Sequence, residues 1–229
     1  MNQRKIFTNN QLKLIALVAM TFDHIGAYLF PAVMWLRVIG RFALPIFAYM
    51  IAEGCRYTKK KSRYLLILGG TAVAFQIVAF FMTGTLKQYI LVTFFLSAIL
   101  CFSWDGLLEN KNAKSLVLFF ACGVFVIFVT RVLPVVLKPW RFSVDYGIYG
   151  VALPVAVFIM PNKWSKLAGL ACAMLVLSAH YGGVQWYSFL ALLLLALYNG
   201  KRGSAKLKYL FYLYFPLHLI VIWTLANFL

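Results

Sequence analysis

Several ionisable residues lie inside long hydrophobic stretches of this sequence. Asp23 and His24 stand together in TFDHIG, Arg37 and Arg41 follow in the next apolar stretch, and His218 lies in the last one. Each such group costs ~2.5–3.5 kcal/mol when it is inserted into lipid, so it persists where it faces a protein interior or a wet cavity. A histidine beside a carboxylate is typical of general-base chemistry.

Depth along the predicted helices places these groups in one layer. Asp23 and His24 fall in the outer half of the first span, and Arg37 and Arg41 fall in the outer half of the second. The two arginines are four residues apart and therefore share a helix face. The connection at 30–33 is short, so the two helices are expected to be antiparallel neighbours in which Asp23 meets Arg37 or Arg41. The same layer is predicted to include Asp145, His180 and His218.

Structural roles remain open for parts of this layer. Asp23 and Arg41 could form an ion pair that only holds two helices together. His24 lies about 100° from Asp23 around the helix, so the carboxylate could serve an arginine instead. His218 is as well explained by core packing as by a site, and His180 is interpreted as an interfacial residue.

Composition indicates what positions these residues. Of the 229 residues 64% are hydrophobic and 12% are charged, against roughly 25% charged in soluble domains. We predict an all-α, polytopic transmembrane helical bundle of about nine spans (8–10), forming a single integral membrane domain over residues 1–229. The predicted spans are 11–30, 33–54, 64–82, 89–104, 115–136, 144–160, 164–180, 184–199 and 208–228. The stretch 131–147 could be a loop, a re-entrant piece or part of two helices.

The distribution of positive charge predicts the orientation. With the N-terminus in the cytoplasm, sixteen of the 22 Lys and Arg residues fall inside and four fall outside, which is a strong positive-inside bias. Nine spans then put the C-terminus outside. The net charge of +17 is spread between apolar stretches and forms no basic domain, so nucleic-acid binding is not expected. The four widely spaced cysteines are expected to pack as small apolar residues and not to bind metal.

A basic cluster follows the second span in RYTKKKSRY. It could set orientation and contact anionic lipid headgroups, or it could hold the phosphates of a cytosolic donor, although no Gly-rich phosphate loop accompanies it. Glu53, just before it, is predicted to be a partly solvated salt-bridge partner or a contact for a cytosolic ligand. The cluster comprises Arg56, Lys59, Lys60, Lys61 and Arg63.

Five segments together resemble the TraX family over nearly the whole chain. They are LKLIALVAMTFDHIGAYLFP, LRVIGRFALPIFAYMIAEGCRYTKKKSRYLL, VDYGIYGV, ALYNGKRG and FYLYFPLHLIVI, in the family's order. The resemblance implies a multi-pass protein of the bacterial cytoplasmic (inner) membrane, whose founding activity is N-terminal acetylation of conjugative pilin. It also implies a place among transmembrane acyltransferases that take an acyl group from cytosolic acyl-CoA by means of an intramembrane histidine.

That resemblance assigns roles to individual residues. His24 becomes the catalytic base or acyl carrier, with Asp23 and Arg41 as its support and His218 as a second candidate. Arg37 or Arg41 would stabilise an oxyanion. The basic cluster would hold the phosphates of acetyl-CoA or another acyl-CoA, the expected co-substrate. Substrate binding is assigned to Asp145 and Tyr146, and no metal is expected.

The acceptor and two rival functions remain open. The acceptor could be an amine or hydroxyl on a pilin, another exported peptide, a surface glycan or a lipid-linked sugar. Intramembrane Asp, His and Arg also suit a small proton-coupled transporter or channel, although no internal repeat is visible. A non-catalytic assembly scaffold is the other alternative, and it predicts that alanine in the polar layer impairs folding alone.

Overall fold

The computed structural model describes residues 6–203 and 208–228, which are helical almost throughout. The α-helices are α1 Asn9–Tyr28, α2 Met34–Gly40, α3 Ala43–Tyr57, α4 Lys61–Thr83, α5 Ile90–Asn110, α6 Ala113–Ile127, α7 Leu133–Val136, α8 Gly147–Ile159, α9 Lys163–Tyr181, α10 Ala191–Ala196 and α11 Lys208–Ala226. Shorter helical pieces are a π-helical turn, Phe128–Val132, and two 3-10 helices, Lys138–Trp140 and Gly183–Leu190. Two-residue strands, β1 Lys87–Gln88 and β2 Ser143–Val144, pair in parallel.

The predicted helical class is confirmed, and every one of the nine predicted stretches contains helix. Within the described part of the chain, four helical segments are long and apolar enough to cross a membrane. They are Met34–Tyr57, Lys61–Thr83, Ile90–Asn110 and Ala113–Val136. Three apolar helices are shorter, at Gly147–Ile159, Gly183–Ala196 and Leu213–Ala226. Nine crossings and a cytoplasmic N-terminus stay predictions.

The second predicted span is interrupted near its middle. Helix α2 ends at Gly40, and α3 begins at Ala43 after a turn at Arg41 and Phe42. Pro45 provides the physical reason, because it has no N–H to donate to the carbonyl of Arg41 and its ring crowds that carbonyl. The turn lies where the sequence places the second arginine.

The ambiguous stretch 131–147 is helical at first and then becomes a loop. Before Pro134, which cannot donate to the carbonyl of Thr130, the helix widens into the π turn Phe128–Val132. Helix α7 and the 3-10 helix Lys138–Trp140 follow. The chain then runs extended through β2, which lies beside β1.

Packing divides the chain into two compact units. The first unit holds the described residues of Met1–Met50 and Leu167–Leu229, and the second holds Ile51–Lys166. In the first unit, α1 packs against α2 and α11, and α2 packs against the 3-10 helix Gly183–Leu190. In the second unit, α5 is central and packs against α4, α6 and α8. The predicted single domain remains a prediction.

Helix ends in both units are closed by side chains that the sequence supplies. Thr8 begins α1 with a capping box, in which Gln11 reaches back to the Thr8 amide at 2.9 Å. Asn112 and Ser115 form the same arrangement at the start of α6. Each box satisfies two amides that would otherwise lack a partner at a helix start.

Contacts within each unit join segments that the charge bias predicts on the same side. In the first unit, residues 6–10 lie along 197–202, with backbone bonds such as Asn9 N to Lys201 O at 2.8 Å. In the second unit, Lys61 pairs with Asp105 between two predicted inner ends. Lys87 pairs with Asp145 between two predicted outer ends, at 3.2 Å.

Large apolar side chains are exposed along the long helices. Phe81 on α4 is 82% exposed and Val117 on α6 is 67% exposed, and many of their apolar neighbours are also exposed. Exposed apolar patches of this extent are unfavourable in water and are normal for lipid-facing surfaces. The chain is a membrane protein, and its apolar helices fit a lipid bilayer.

Candidate active site

Helices α1 and α2 cross closely because a glycine from each lies at the contact. A Cβ at Gly26 would lie 2.8 Å from the Cβ of Leu36, and a Cβ at Gly40 would lie 2.7 Å from the Cα of Asp23 and overlap its side chain. Small residues of this kind let membrane helices approach each other. The crossing therefore brings the carboxylate of Asp23 against the end of α2, where the arginines lie.

Asp23 binds both arginines, and we call these three residues the arginine–aspartate cluster. Its Oδ2 lies 3.0 Å from Nη1 of Arg37, and its Oδ1 accepts from Nη2 of Arg41. Arg37 also donates to the backbone carbonyl of Asp23 at 2.8 Å. The predicted contact between Asp23 and Arg37 or Arg41 is confirmed, and it involves both. The carboxylate thus serves the arginines, as the helical angle had suggested.

The cluster carries one net positive charge, since one carboxylate faces two guanidiniums. The other four acidic side chains of the chain pair with lysines in the second unit, so Asp23 is the acidic residue available to the first. Arg41 is buried, and its Nη1 also donates to Oε1 of Gln185 at 3.2 Å. A buried, net positive group of this kind favours an anion or a developing oxyanion nearby.

His24 and His218 form a hydrogen-bonded pair, which we call the histidine pair. Nδ1 of His24 lies 2.8 Å from Nε2 of His218, and their ring centroids are 5.0 Å apart. His218 is buried, and its Nδ1 lies 2.9 Å from the backbone carbonyl of Tyr214. The two residues are 194 positions apart in sequence, and packing of α11 on α1 brings them together.

The partners of His218 determine the positions of the ring protons. A carbonyl oxygen only accepts, so Nδ1 of His218 carries its proton and donates to Tyr214. With both rings neutral, Nε2 of His218 is an acceptor, and Nδ1 of His24 donates to it. Nε2 of His24 is then the basic nitrogen of its ring. This arrangement orients a histidine base through its second nitrogen, with an imidazole as the orienting group.

Aromatic and hydroxyl contacts hold the histidine pair in place. The Tyr214 ring stacks on His218, with centroids 5.2 Å apart and planes at 10°. The Tyr214 hydroxyl lies 2.7 Å from Oγ1 of Thr21, which donates to the carbonyl of Leu17 at 2.9 Å. Since Thr21 uses its only hydrogen there, it accepts from Tyr214. The sequence analysis missed Thr21 and Tyr214, and the position of Tyr214 one helical turn before His218 was the available signal.

Gln185 is a further residue that the sequence analysis missed. It lies on the 3-10 helix Gly183–Leu190, within the predicted eighth span, and it is 3% exposed. The sequence feature that could have identified Gln185 is its polar amide side chain within an apolar stretch. His180, by contrast, is exposed and contacts the Tyr181 ring edge to face, with ring centroids 4.9 Å apart. Its interfacial position stays a prediction.

Members of the predicted basic cluster have different surroundings in the second unit. Arg56 donates to the carbonyls of Phe158 and Met160 at the end of α8, the second at 3.0 Å. Lys61 pairs with Asp105 and, at 3.2 Å, with Glu109. These two cations thus stabilise the protein itself. The remaining members, Lys59, Lys60 and Arg63, are exposed.

Glu53 differs from its prediction. It is 4% exposed, and its Oε1 lies 2.6 Å from Nζ of Lys166, which is also buried. The expected salt bridge is confirmed, but the expectation that Glu53 is partly solvated is wrong, because Lys166, the fourth residue of α9, reaches it inside the second unit. A buried ion pair is costly to break from one side.

Asp145 and Tyr146 lie in the second unit, at the start of α8. The Asp145 carboxylate is 3.2 Å from Nζ of Lys87, and its backbone carbonyl accepts from Thr93 at 2.7 Å. Tyr146 has a left-handed backbone, with φ 57°, where the chain turns into α8. Their assignment to substrate binding, and the membership of Asp145 in the predicted layer, stay predictions.

The described residues contain no group of three His, Cys, Asp or Glu side chains placed to hold a metal ion. The described cysteines are all free; Cys55 and Cys101 are buried, and Cys172 is exposed.

Comparison with known proteins gives one family and two relatives. The model of the TraX protein family matches residues 8–226. An uncharacterized protein of Rickettsia prowazekii is 29% identical over 180 residues, which is 77% of this chain and 65% of that protein. A probable fimbrial assembly protein of Dichelobacter nodosus is 24% identical over 97% of each chain. No solved structure matches significantly.

Proposed function

This chain belongs to the TraX family, and from that premise we propose that it is a membrane-embedded acyltransferase. It moves an acetyl or other acyl group from cytosolic acyl-CoA to an amine or hydroxyl acceptor. It does so as a multi-pass protein of the bacterial inner membrane, with the histidine pair as its base. The relative named as a fimbrial assembly protein supports an exported pilin or similar peptide as the acceptor, with a surface glycan as the alternative.

The observation that carries the proposal is the 2.8 Å hydrogen bond between His24 and His218. The Tyr214 carbonyl orients His218, and His218 in turn orients His24, so that Nε2 of His24 is the proton acceptor. When His24 takes up a proton, its Nδ1–H still donates to His218. An oriented base of this kind typically contributes 10²–10⁴-fold to a rate.

The chemistry balances with these residues alone. Nε2 of His24 takes a proton from the acceptor amine, whose nitrogen attacks the thioester carbonyl carbon and forms the new C–N bond. The carbonyl electrons move onto oxygen, then return and break the C–S bond. The CoA thiolate leaves and receives the proton from His24. In an alternative path the same nitrogen attacks first and briefly carries the acyl group.

The arginine–aspartate cluster supports the same reaction electrostatically. Its one net positive charge is shared by Arg37 and a buried Arg41, and a buried charge interacts more strongly than one in water. Asp23 fixes both guanidiniums, so they need not reorganise as negative charge develops. Such preorganised groups are worth most when the reaction creates charge beside them.

The donor is held by its phosphates at the basic cluster. Lys59, Lys60 and Arg63 are exposed and can bind the ADP portion of acyl-CoA, whereas Arg56 and Lys61 are held by protein partners. We expect Lys59→Gln with Lys60→Gln to weaken acetyl-CoA binding, measured as the KM for acetyl-CoA. The control is Lys111→Gln with Lys114→Gln, which removes the same charge elsewhere. Equal KM values for the two double variants would remove the cluster from the donor site.

The decisive experiment measures acetyl transfer in membrane vesicles. Everted vesicles from native cells receive acetyl-CoA labelled in the acetyl group, and label on membrane peptides and glycans is counted with the release of free CoA. We expect transfer by the wild type, at least about 100-fold less by His24→Ala, and wild-type transfer by the control His180→Ala. Full transfer by His24→Ala would refute the role of His24.

Proton-coupled transport is the second candidate, and the hydrogen-bonded histidine pair is the observation that favours it. Two imidazoles in contact can pass a proton along a membrane pathway. Proton flux measured in proteoliposomes without acyl-CoA distinguishes the two functions. Flux that His218→Ala abolishes, together with no acetyl transfer by the wild type, would favour the transporter.

A further inference from the structure

Two buried polar side chains on the 3-10 helix Gly183–Leu190 each have an atom without a hydrogen-bond partner in the protein. They are Nε2 of Gln185 and Oγ of Ser188, and they are the buried side-chain polar atoms of this kind among the described residues. Gln185 is 3% exposed and Ser188 is fully buried. A buried donor left unpaired costs about 1–3 kcal/mol, so its presence needs an explanation.

The two side chains lie on one face of the helix. A 3-10 helix has three residues per turn, so positions 185 and 188 align one above the other. Burial follows the same spacing: Gln185, Ser188 and Ala191 are buried, whereas Trp186 and Tyr187 are exposed. The unpaired amide and the unpaired hydroxyl are therefore neighbours on the inner face.

The amide of Gln185 has a fixed orientation. Arg41 can only donate, so the atom 3.2 Å from its Nη1 is the amide oxygen. The amide nitrogen on the other branch can only donate, and Ser188 can also donate. Arg41 in turn binds Asp23, the residue before His24. Gln185 thus belongs to the site that holds the arginine–aspartate cluster, and Ser188 follows it by one 3-10 turn on the same face.

We propose that Gln185 and Ser188 form the binding site for the carbonyl oxygen of the acyl group, a proposal that rests on the acyltransferase function. The ligand atom must be an acceptor, because the amide nitrogen cannot accept. The two donors best match an oxygen that becomes negative, because Arg41 holds the Gln185 amide and adds positive charge. When the acceptor amine attacks the thioester carbon, the C=O electron pair moves onto this oxygen. Both donors then bind the oxyanion until the C–S bond breaks and the CoA thiolate leaves.

Two variants test the site with little change of shape. Gln185→Glu keeps an oxygen for Arg41 but removes the N–H donors, and Ser188→Ala removes the hydroxyl. Loss of one such donor typically lowers kcat about 10²–10³-fold. We expect each variant to lower the maximal rate of labelled acetyl transfer from acetyl-CoA about 100-fold with little change in KM. The matched control is Ser103→Ala, which removes a buried serine of the second unit.

Stability separates binding of an acyl oxygen from a structural role. Ser188→Ala removes an unpaired hydroxyl, so its thermal unfolding midpoint should equal or exceed that of the wild type. A lower midpoint with a wild-type kcat would mean that the two groups serve folding alone, and it would overturn the proposal. Wild-type kcat in both variants would overturn it as well, with the acyltransferase function intact. No transfer by the wild type would instead refute the function, and this inference with it.

Discussion

Replacing Asp23 by Asn should destabilise the protein strongly, because two guanidiniums would lose their counter-charge. The Arg41 side chain is 8% exposed and the Asp23 side chain 14% exposed, so this pair is close to fully desolvated. Breaking a buried pair from one side costs about 3–5 kcal/mol. Arg37 is 28% exposed, and its share should be at most about 1 kcal/mol. Asn keeps the shape and one acceptor oxygen, so we expect a loss of about 3 kcal/mol in the free energy of unfolding.

The assay follows the loss of helical circular dichroism as detergent-solubilised protein is heated or denatured. Both units are largely helical, so the signal reports unfolding of each of them. The control is Asp145→Asn, because its pair with a 42% exposed lysine side chain should be worth at most about 1 kcal/mol.

A double variant tests the cause of the loss. Arg41→Met in the Asp23→Asn background removes the uncompensated buried charge. Its cost should therefore be smaller than the sum of the two single costs, with a coupling of about 0.5–3 kcal/mol. The reasoning is refuted if Asp23→Asn costs no more than Asp145→Asn, or if the two single costs simply add.

Two paired comparisons in the same assay test the packing and the second unit. Gly40→Ala should lower the free energy of unfolding by about 1–3 kcal/mol, because the new Cβ overlaps Asp23. A Cβ at Gly70 would have nothing within 4 Å, so Gly70→Ala should not destabilise the protein. Equal unfolding midpoints for these two variants would contradict the close crossing of α1 and α2. Lys166→Met should cost about 3–5 kcal/mol because it leaves Glu53 buried without its counter-charge. Lys61→Met should cost at most about 1 kcal/mol, since its side chain is 37% exposed. If Lys61→Met costs more than Lys166→Met, the account of which ion pair is buried is wrong.

The contact between Asp23 and the arginines was predictable from sequence. Charges inside apolar stretches need partners, and a short connection makes consecutive helices neighbours. Spacing of four placed both arginines on one face, and the structure has Asp23 binding both. Hydropathy likewise located the helical stretches, because lipid-facing helices are apolar along most of their length.

The histidine pair and Gln185 were beyond the reach of the sequence. His24 and His218 are 194 positions apart, and no local pattern says that the last helix packs on the first. Gln185 lies in a 3-10 helix, where three residues per turn bury a different set of positions from an α-helix. The contact between Glu53 and Lys166 was missed for the reason given for the histidine pair: hydropathy locates the helices but does not say which helices pack together.

The tautomers of the two site histidines test the central claim most directly. The chain has three histidines, so ¹⁵N-histidine spectra of the protein in lipid bilayers are simple, and His180→Ala and His218→Ala assign them. We expect both site rings to carry their proton on Nδ1, with a scalar coupling from Nδ1 of His24 to Nε2 of His218. Nε2 of His24 should be unprotonated. A His24 ring protonated on Nε2, with no coupling to His218, would contradict the account.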